Sequence, residues 1–439
     1  MKDIVEVKLW GTTIGHIGYK PNQTAVATFE YTGALLNSSI EVSPIKLPNS
    51  ITTHSFPDIS QRTFKGLPGI FADSLPDKFG NQLIDIYLAE KGIVESAITT
   101  LDRLLYVGNR AMGAIEYHPS ESFTNNDIGS LSLDINRLSE LANLAQKNKT
   151  ELSGQLSDAN TRTQALNFIR VSSSAGGARS KALVAIDKDK NLKDGTVDHG
   201  IDHTYWLLKF DSEENKDRDS ADPKGMTKVE YIYSLIARQC DIDMPDTDYI
   251  ANGDDFHFMI KRFDRIIRNN KIDKVHYASW SGLAHAHRDE TGAYSYEQLV
   301  LLARQLNLGQ DAITELFRRA VFNVIGRNQD DHTKNFGFLM NRAGEWSLAP
   351  AFDMTYSYDP TGQWTKTHQI KLAGKQSSFS IDDLVRFGKH CNLKPKQANG
   401  IIEQVTTAFA QFGQLAMDYD VSTNLISTIE TNIIKLNGF

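Results

Sequence analysis

Two aspartates and an asparagine in the last third of this 439-residue chain stand at spacings that suit phosphoryl transfer. The segment GRNQDDHTKNFGFLMNRAGEWSLAPAFDM carries Asp330, Asn335 and Asp353. Transfer to a hydroxyl needs a carboxylate that orients the hydroxyl and takes its proton. It also needs hard oxygen donors for Mg²⁺, an ion that keeps several of its waters. Asp330 and Asn335 stand in the D-x-x-x-x-N relation, and a stretch that reads as a hairpin, FGFLM to WSLAP, then delivers Asp353, 18 residues beyond Asn335. Taken alone, DDHTKN reads equally as an ordinary polar loop, because Asp and Asn favour turns. Asp353 is different, since it follows the apolar LAPAF, where a carboxylate needs a partner. His332 raises a second chemistry, metal-assisted hydrolysis. A D-x-H with one distant Asp lacks the further histidines of the usual zinc patterns, so His332 reads as a residue that holds the loop.

Three further elements lie upstream. SSSAGGARSK (172–181) contains Ser174, Ala175, Gly176, Gly177 and Ala178, followed by Arg179 and Lys181. Small residues let backbone approach phosphates, and their N–H groups can cradle them. A Gly-rich hairpin turn is the equally good alternative, because the Walker A pattern is absent. Lys209, in the apolar YWLLKF, must reach an anion or water. In a kinase such a strand lysine meets phosphate oxygens and a helix Glu, for which Glu230 is the natural partner. Thr227 and Glu230 also have the spacing of a capping box, which is a purely structural reason for the same Glu. MIKRFDR (259–265) ends the strand-rich region and reads as a hinge or as a strand end with surface ion pairs.

The elements that must position these residues follow from patterning. Short alternating strands fill 1–45, and helices follow at NQLIDIYLAEKG and near 135–148, which gives an α+β unit over 1–150. TQALNFIRV, KALVAI, HTYWLLKF and HFMIKRFDR read as strands, with a helix at 228–239 whose Val229, Ile232, Tyr233 and Ile236 share one face. This second unit spans 151–262. From 263 to 439 the pattern is mostly helical, interrupted by the hairpin with its turn at NRAGE. The expected fold class is α+β, a strand-rich lobe followed by a helical lobe.

Composition sets the outer limits. The length exceeds what one core usually supports. A net charge of -7 argues against a generally basic nucleic-acid binder. Cys240 and Cys391, far apart, form neither a disulfide framework nor a CxxC site. No stretch has the apolar length of a membrane span or the apolar run of a signal peptide, so the expectation is a soluble, cytoplasmic protein with no membrane partner.

Taken in order, SSSAGGARSK, WLLKF, VEYIYSLIA, IKRFDR, FNVIGRNQDDHTKNFGF and LAPAFDM resemble the HipA family of toxin–antitoxin serine/threonine kinases. The resemblance spans roughly 165–355 and extends more loosely through GLPGIFADSLPDKFG and the C-terminal helices. It implies a bilobed protein-kinase-like fold that uses ATP and Mg²⁺. By that resemblance Asp330 is the catalytic base, Asn335 and Asp353 are Mg²⁺ ligands, and Lys209 binds phosphate. The main chain of Lys261 and Phe263 is the adenine hinge. Ser174 matches the serine that such kinases autophosphorylate. The implied partners are a HipB-like helix-turn-helix antitoxin, DNA through that antitoxin, and a translation-related protein substrate such as an aminoacyl-tRNA synthetase. The segment VHYASWSGLAHAHRDETGAYSYEQL departs from the Gln-Glu-Asp pattern of the best-known members, and it bears on substrate identity. Two other readings stand beside this one: a catalytically weak co-repressor acting with a DNA-binding antitoxin, and a small-molecule or lipid kinase.

Overall fold

The computed structural model describes residues 4–21, 25–120, 132–147, 149–158, 160–173, 179–211 and 223–436. Ser174, Ala175, Gly176, Gly177 and Ala178, and most of the polar loop before the 228–239 helix, lie outside these residues.

The chain opens with strands β1 (Ile4–Leu9), β2 (Thr12–Tyr19), β3 (Ala27–Tyr31) and β4 (His54–Ser55), joined later by β5 (Ile115–His118). They form an antiparallel sheet in the order β4-β3-β2-β1-β5. Alternation decides their faces: in β1, Val5, Val7 and Leu9 are buried while Ile4 is exposed. The β1–β2 turn is the two-residue Trp10-Gly11, both at positive φ, the geometry whose twist suits a tight hairpin.

A second antiparallel sheet has the order β7-β6-β8-β10-β9. Its strands are β6 (Lys181–Ile186), β7 (Leu192–Asp194), β8 (Thr204–Lys209), β9 (Thr247–Asn252) and β10 (Asp255–Lys261). The helix Met226–Gln239 connects β8 to β9, and its Val229, Ile232, Tyr233 and Ile236 are fully buried, as their spacing predicts. Burying each such side chain is worth roughly 1.5–3 kcal/mol. Tyr233 is ringed by Phe322, Phe409 and Phe412, and its hydroxyl donates to the Gly326 carbonyl at 2.6 Å. This one helix therefore ties the second sheet to the helices that follow.

One expectation is corrected here. TQALNFIRV is a helix, Arg162–Ser172, and not a strand. Its buried Ala165, Phe168, Ile169 and Ser172 recur at three- and four-residue spacing, which is the period of a helix face. The β-branched Ile169 and Val171 suggest a strand, but packing against β6 and the neighbouring helices overrides that preference. The SSSAGGARSK segment thus leaves from a helix end at Ser173 and returns as β6, so the strand–loop–strand hairpin does not form.

After the short hairpin β11 (Arg265–Arg268) and β12 (Lys271–Lys274), a three-stranded sheet β13-β14-β15 (His276–Ser279, Gly337–Met340, Trp346–Leu348) encloses the expected hairpin turn. Gly344, at φ +84, closes that turn by donating to the Asn341 carbonyl at 3.1 Å. The helices Tyr296–Gln305, Gln310–Ile325, Ile381–His390, Pro395–Phe409, Phe412–Asp418 and Thr423–Asn432 make the rest of this region.

Two apolar cores result. One runs from the first sheet through the Met226–Gln239 helix into the C-terminal helices. The other joins the helices Lys78–Glu90, Ile135–Lys147, Lys149–Ser157 and Arg162–Ser172 to the second sheet. Among the described residues no helix is long and apolar enough to cross a membrane.

Candidate phosphoryl-transfer site

Lys209 ends β8 beside Lys181 of β6, its register partner. Its ammonium lies 2.6 Å from Glu230 Oε1 and 2.5 Å from Asp353 Oδ1. Residues 144 positions apart are thereby joined through one cation, with Glu230 on the helix and Asp353 after the hairpin. Burial opposes the charge on Lys209, but Asp353 and Glu230 more than reverse this and raise its affinity for the proton. Burial likewise opposes ionisation of Asp353. Lys209, then Lys181, overcome it and hold the carboxyl down to about 2. The Asp353 side chain nevertheless remains 39% exposed, so it faces the cleft. Its backbone adopts positive φ, which Asp tolerates better than most residues.

The capping-box alternative for Glu230 does not hold. The helix starts at Met226 with Gly225 as its N-cap, so Thr227 lies inside the first turn. Glu230 is buried against Lys209, with Arg179 Nη1 3.7 Å from its other oxygen. Arg179 and Lys181 are themselves buried, so three cationic side chains converge on this corner of the cleft.

The Asp330 loop begins where the Gln310–Ile325 helix ends, with Arg327 at positive φ turning the chain. Asn328 stitches this loop to the Asp353 segment. Its Nδ2 donates to the Asp353 carbonyl at 3.3 Å, and its Oδ1 accepts from Ser357 Oγ at 3.1 Å. The Asp330 N–H donates to the same Ser357 hydroxyl at 2.9 Å. Asn335 Nδ2 donates to the Asp330 carbonyl at 2.7 Å, so the two motif residues meet through the Asp330 backbone. Gln369 Nε2 donates to Asp330 Oδ1 at 2.6 Å.

His332 Nε2 lies 3.9 Å from Asp330 Oδ1. Burial, reinforced by Arg288, pushes the imidazole down to about 4, so near neutral pH this contact is not an ion pair. Among the described residues no group of three or more His, Cys, Asp or Glu is placed to hold a metal.

Lys261, expected together with Phe263 at the adenine hinge, is the last residue of β10. The Phe263 ring stands 5.9 Å from Phe352, the residue before Asp353, and 6.0 Å from Tyr277. The Lys261 N–H already donates to the Asp246 carbonyl at 2.9 Å, and its ammonium pairs with the Asp246 carboxylate at the surface. Of the residues singled out by sequence, Arg179, Lys181, Lys209, Glu230 and Asp353 meet at one corner, and Asp330, His332 and Asn335 form the adjoining loop. Ser174 to Ala178 lie outside the described residues. Asn328, Ser357 and Gln369 were not found by motif, because polar side chains at irregular spacing carry no signal until the chain is folded.

Comparison with known proteins adds the family. Residues 173–412 match the family model described as HipA-like C-terminal domain, and residues 5–118 match the HipA N-terminal domain. The chain belongs to the HipA family. This HipA-family chain is also similar over 98% of its length to 95% of a chain in the Shewanella oneidensis MR-1 complex of HipA, HipB and operator DNA, with a TM-score of 0.67. At 16% identity that likeness is one of fold, and it is the bilobed kinase-like α+β fold that the sequence leads one to expect. A Haemophilus influenzae protein described as "Putative kinase" is 27% identical over 144 residues, which are 29% of this chain and 40% of that relative. The match therefore spans less than half the length of that curated relative.

Proposed function

We propose that this HipA-family chain is a cytoplasmic, ATP-dependent serine/threonine protein kinase. The observation that carries the reading is the double engagement of Lys209 by Glu230 and Asp353 beside the Asp330–Asn335 loop. Buried cations gathered at one end of a cleft suit the phosphates of a nucleotide. The donor set also suits Mg²⁺, since Asp353 and the amide oxygen of Asn335 are hard ligands that leave room for waters and phosphate oxygens. When bound, Mg²⁺ supplies neutralisation of the phosphate charge.

In this reading Lys209, with Arg179 and Lys181, holds phosphate oxygens, and Glu230 keeps Lys209 aimed. The loop Ser174, Ala175, Gly176, Gly177 and Ala178 covers the phosphates, and the backbone of Lys261 and Phe263 meets the adenine. Asp330 accepts the proton of the incoming serine or threonine hydroxyl as its oxygen bonds to the γ-phosphorus. The bond from that phosphorus to the bridging oxygen breaks, leaving ADP. Autophosphorylation on Ser174 belongs to the same proposal: a phosphate there adds about -1.5 to -2 charges beside the nucleotide and repels it. The proposed partners are a helix-turn-helix antitoxin, DNA through it, and a translation-related substrate. Support comes from family membership and from the likeness to a fold solved with HipB and operator DNA. Incubation of the full chain with labelled ATP, Mg²⁺ and cell lysate tests the reading. Labelled protein bands carrying phosphoserine or phosphothreonine support it; label confined to small molecules, or none, overturns it.

A further inference from the structure

Asp330 is gripped by a residue that no motif announces. Besides the 2.6 Å bond from Gln369 Nε2 to Asp330 Oδ1, the backbone N–H of Gln369 donates to Oδ1 of the neighbouring Asp331 at 2.8 Å. His368 Nδ1 lies 2.8 Å from Asp331 Oδ2. An ionised carboxylate only accepts, so the ring nitrogen donates. The Tyr296 hydroxyl adds a further bond to Asp331 Oδ2 at 2.9 Å. One dipeptide, His368–Gln369, thus meets two consecutive carboxylates, one buried and one facing the cleft.

The dipeptide is itself immobilised. The His368 N–H donates to the Gln376 carbonyl at 3.0 Å, and the Gln376 amide returns a bond to the His368 carbonyl at 2.8 Å. The Gly292 N–H donates to the Gln369 carbonyl at 2.7 Å. Every backbone polar group of the pair is used, and Gln369 is buried, with 7% relative exposure. The two carboxylates divide the labour. Asp331 is buried, and its three bonds already lock the loop to this segment. Asp330 has a side chain 37% exposed, and a carboxylate that reaches water needs no amide to be stable. The bond from Gln369 therefore contributes orientation rather than stability.

We infer, resting on the kinase reading above, that Gln369 is a positioning residue for phosphoryl transfer. It fixes the torsion of the Asp330 carboxylate toward the incoming hydroxyl, while Asp331 and His368 hold Gln369 in place. A misplacement of about 1 Å in such a group costs on the order of 10²-fold in rate.

The test compares the full chain with Gln369→Ala and with Gln369→Met, which has about the same length, keeps the packing and loses the donor without adding a charge. Both variants should lose about 10- to 100-fold in kcat while the KM for ATP stays within about twofold. Hydrogen–deuterium exchange over residues 330–335 should stay at the parental rate in both, because Asp331 still locks the loop. Parental kcat in either folded variant overturns the inference. So does a loss of kcat matched by an equal loss of ATP binding, or faster exchange over that loop, which would mark a merely structural role. A parent protein that itself transfers no phosphate overturns the kinase reading and this inference with it. That case is distinguishable because only there is the unmodified chain inactive.

Discussion

Asp330 and Asp353 bring like charges into one cleft, and different neighbours hold each of them there. Asp353 is matched by a buried ammonium, so its charge is stable before any ligand arrives. Asp330 is fixed at its N–H by Ser357, at its carbonyl by Asn335 and at its carboxylate by Gln369. From this division two outcomes follow. Asp330→Asn should reduce phosphoryl transfer by about 10²–10⁴-fold while ATP affinity and the melting temperature hold, as steady-state kinetics and a thermal melt will show. A loss below tenfold in a folded, ATP-binding variant removes Asp330 from the role of base. Asp353→Ala should weaken Mg²⁺-dependent nucleotide binding by about 10–100-fold, read by calorimetric titration with and without Mg²⁺. Equal affinities in the two proteins with Mg²⁺ present would exclude Asp353 as a metal ligand. The pairing of Lys209 with Glu230 is legible in the sequence, because a lysine in an apolar strand and a glutamate on the next helix have few other partners. Gln369 is not legible, since its contact with Asp330 crosses 39 positions and glutamine is common at surfaces.

Elements carry a different kind of information. The strand that ends the second sheet continues into Arg262, Phe263, Asp264 and Arg265, and here the chain ties a buried knot. Asp264 accepts from Arg262 at 2.8 and 2.9 Å, from Arg265 at 2.7 Å and from the Gly113 N–H at 2.7 Å. Burial opposes its charge, but the two guanidiniums more than compensate and hold the carboxyl far below the ordinary carboxylate range. A group whose folded value is depressed contributes stability above its unfolded value, about 3.9 for Asp, and loses it as pH falls toward the folded value. Asp264→Asn leaves two buried cations uncompensated. It should cost about 3–5 kcal/mol at pH 7, and the variant's stability should fall less steeply below about pH 4 than the parent's. Urea titrations across pH will test both; parallel curves for the two proteins would contradict the assignment. The sequence offers a hinge or a strand end with surface ion pairs here; the Asp264 pairs are buried instead, because the partner at Gly113 comes from another unit. The Arg162–Ser172 helix shows the same limit: its strand-forming residues are visible locally, and the surfaces that make it a helix are not.

At the scale of the molecule, the first sheet's unit docks on the helical region through a close backbone approach. Gly69 lies against Gly282, and a Cβ at Gly69 would stand 2.6 Å from the Gly282 carbonyl oxygen and from the His285 ring. Asp73 beside it accepts from the Ser279 N–H and hydroxyl, each at 2.7 Å. Gly69→Ala should therefore destabilise the whole chain by about 1–3 kcal/mol, seen as a lower melting temperature by calorimetry. An unchanged melting temperature would show that this contact gives way freely.

The same contact reaches the Asp330–Asn335 loop in two short steps. The Trp280–Ala284 helix that receives Gly69 leads to Ala286, whose carbonyl accepts from Thr333 Oγ1 at 2.7 Å, between Asp330 and Asn335. The first sheet and the helical region also share one uninterrupted apolar core, from Val5 to Leu436. The two family domains thus fold around a common core. A fragment holding only the later domain would expose the face that the first sheet covers and would lose the strut behind Thr333. In this chain the N-terminal domain is part of the scaffold of the Asp330–Asn335 loop.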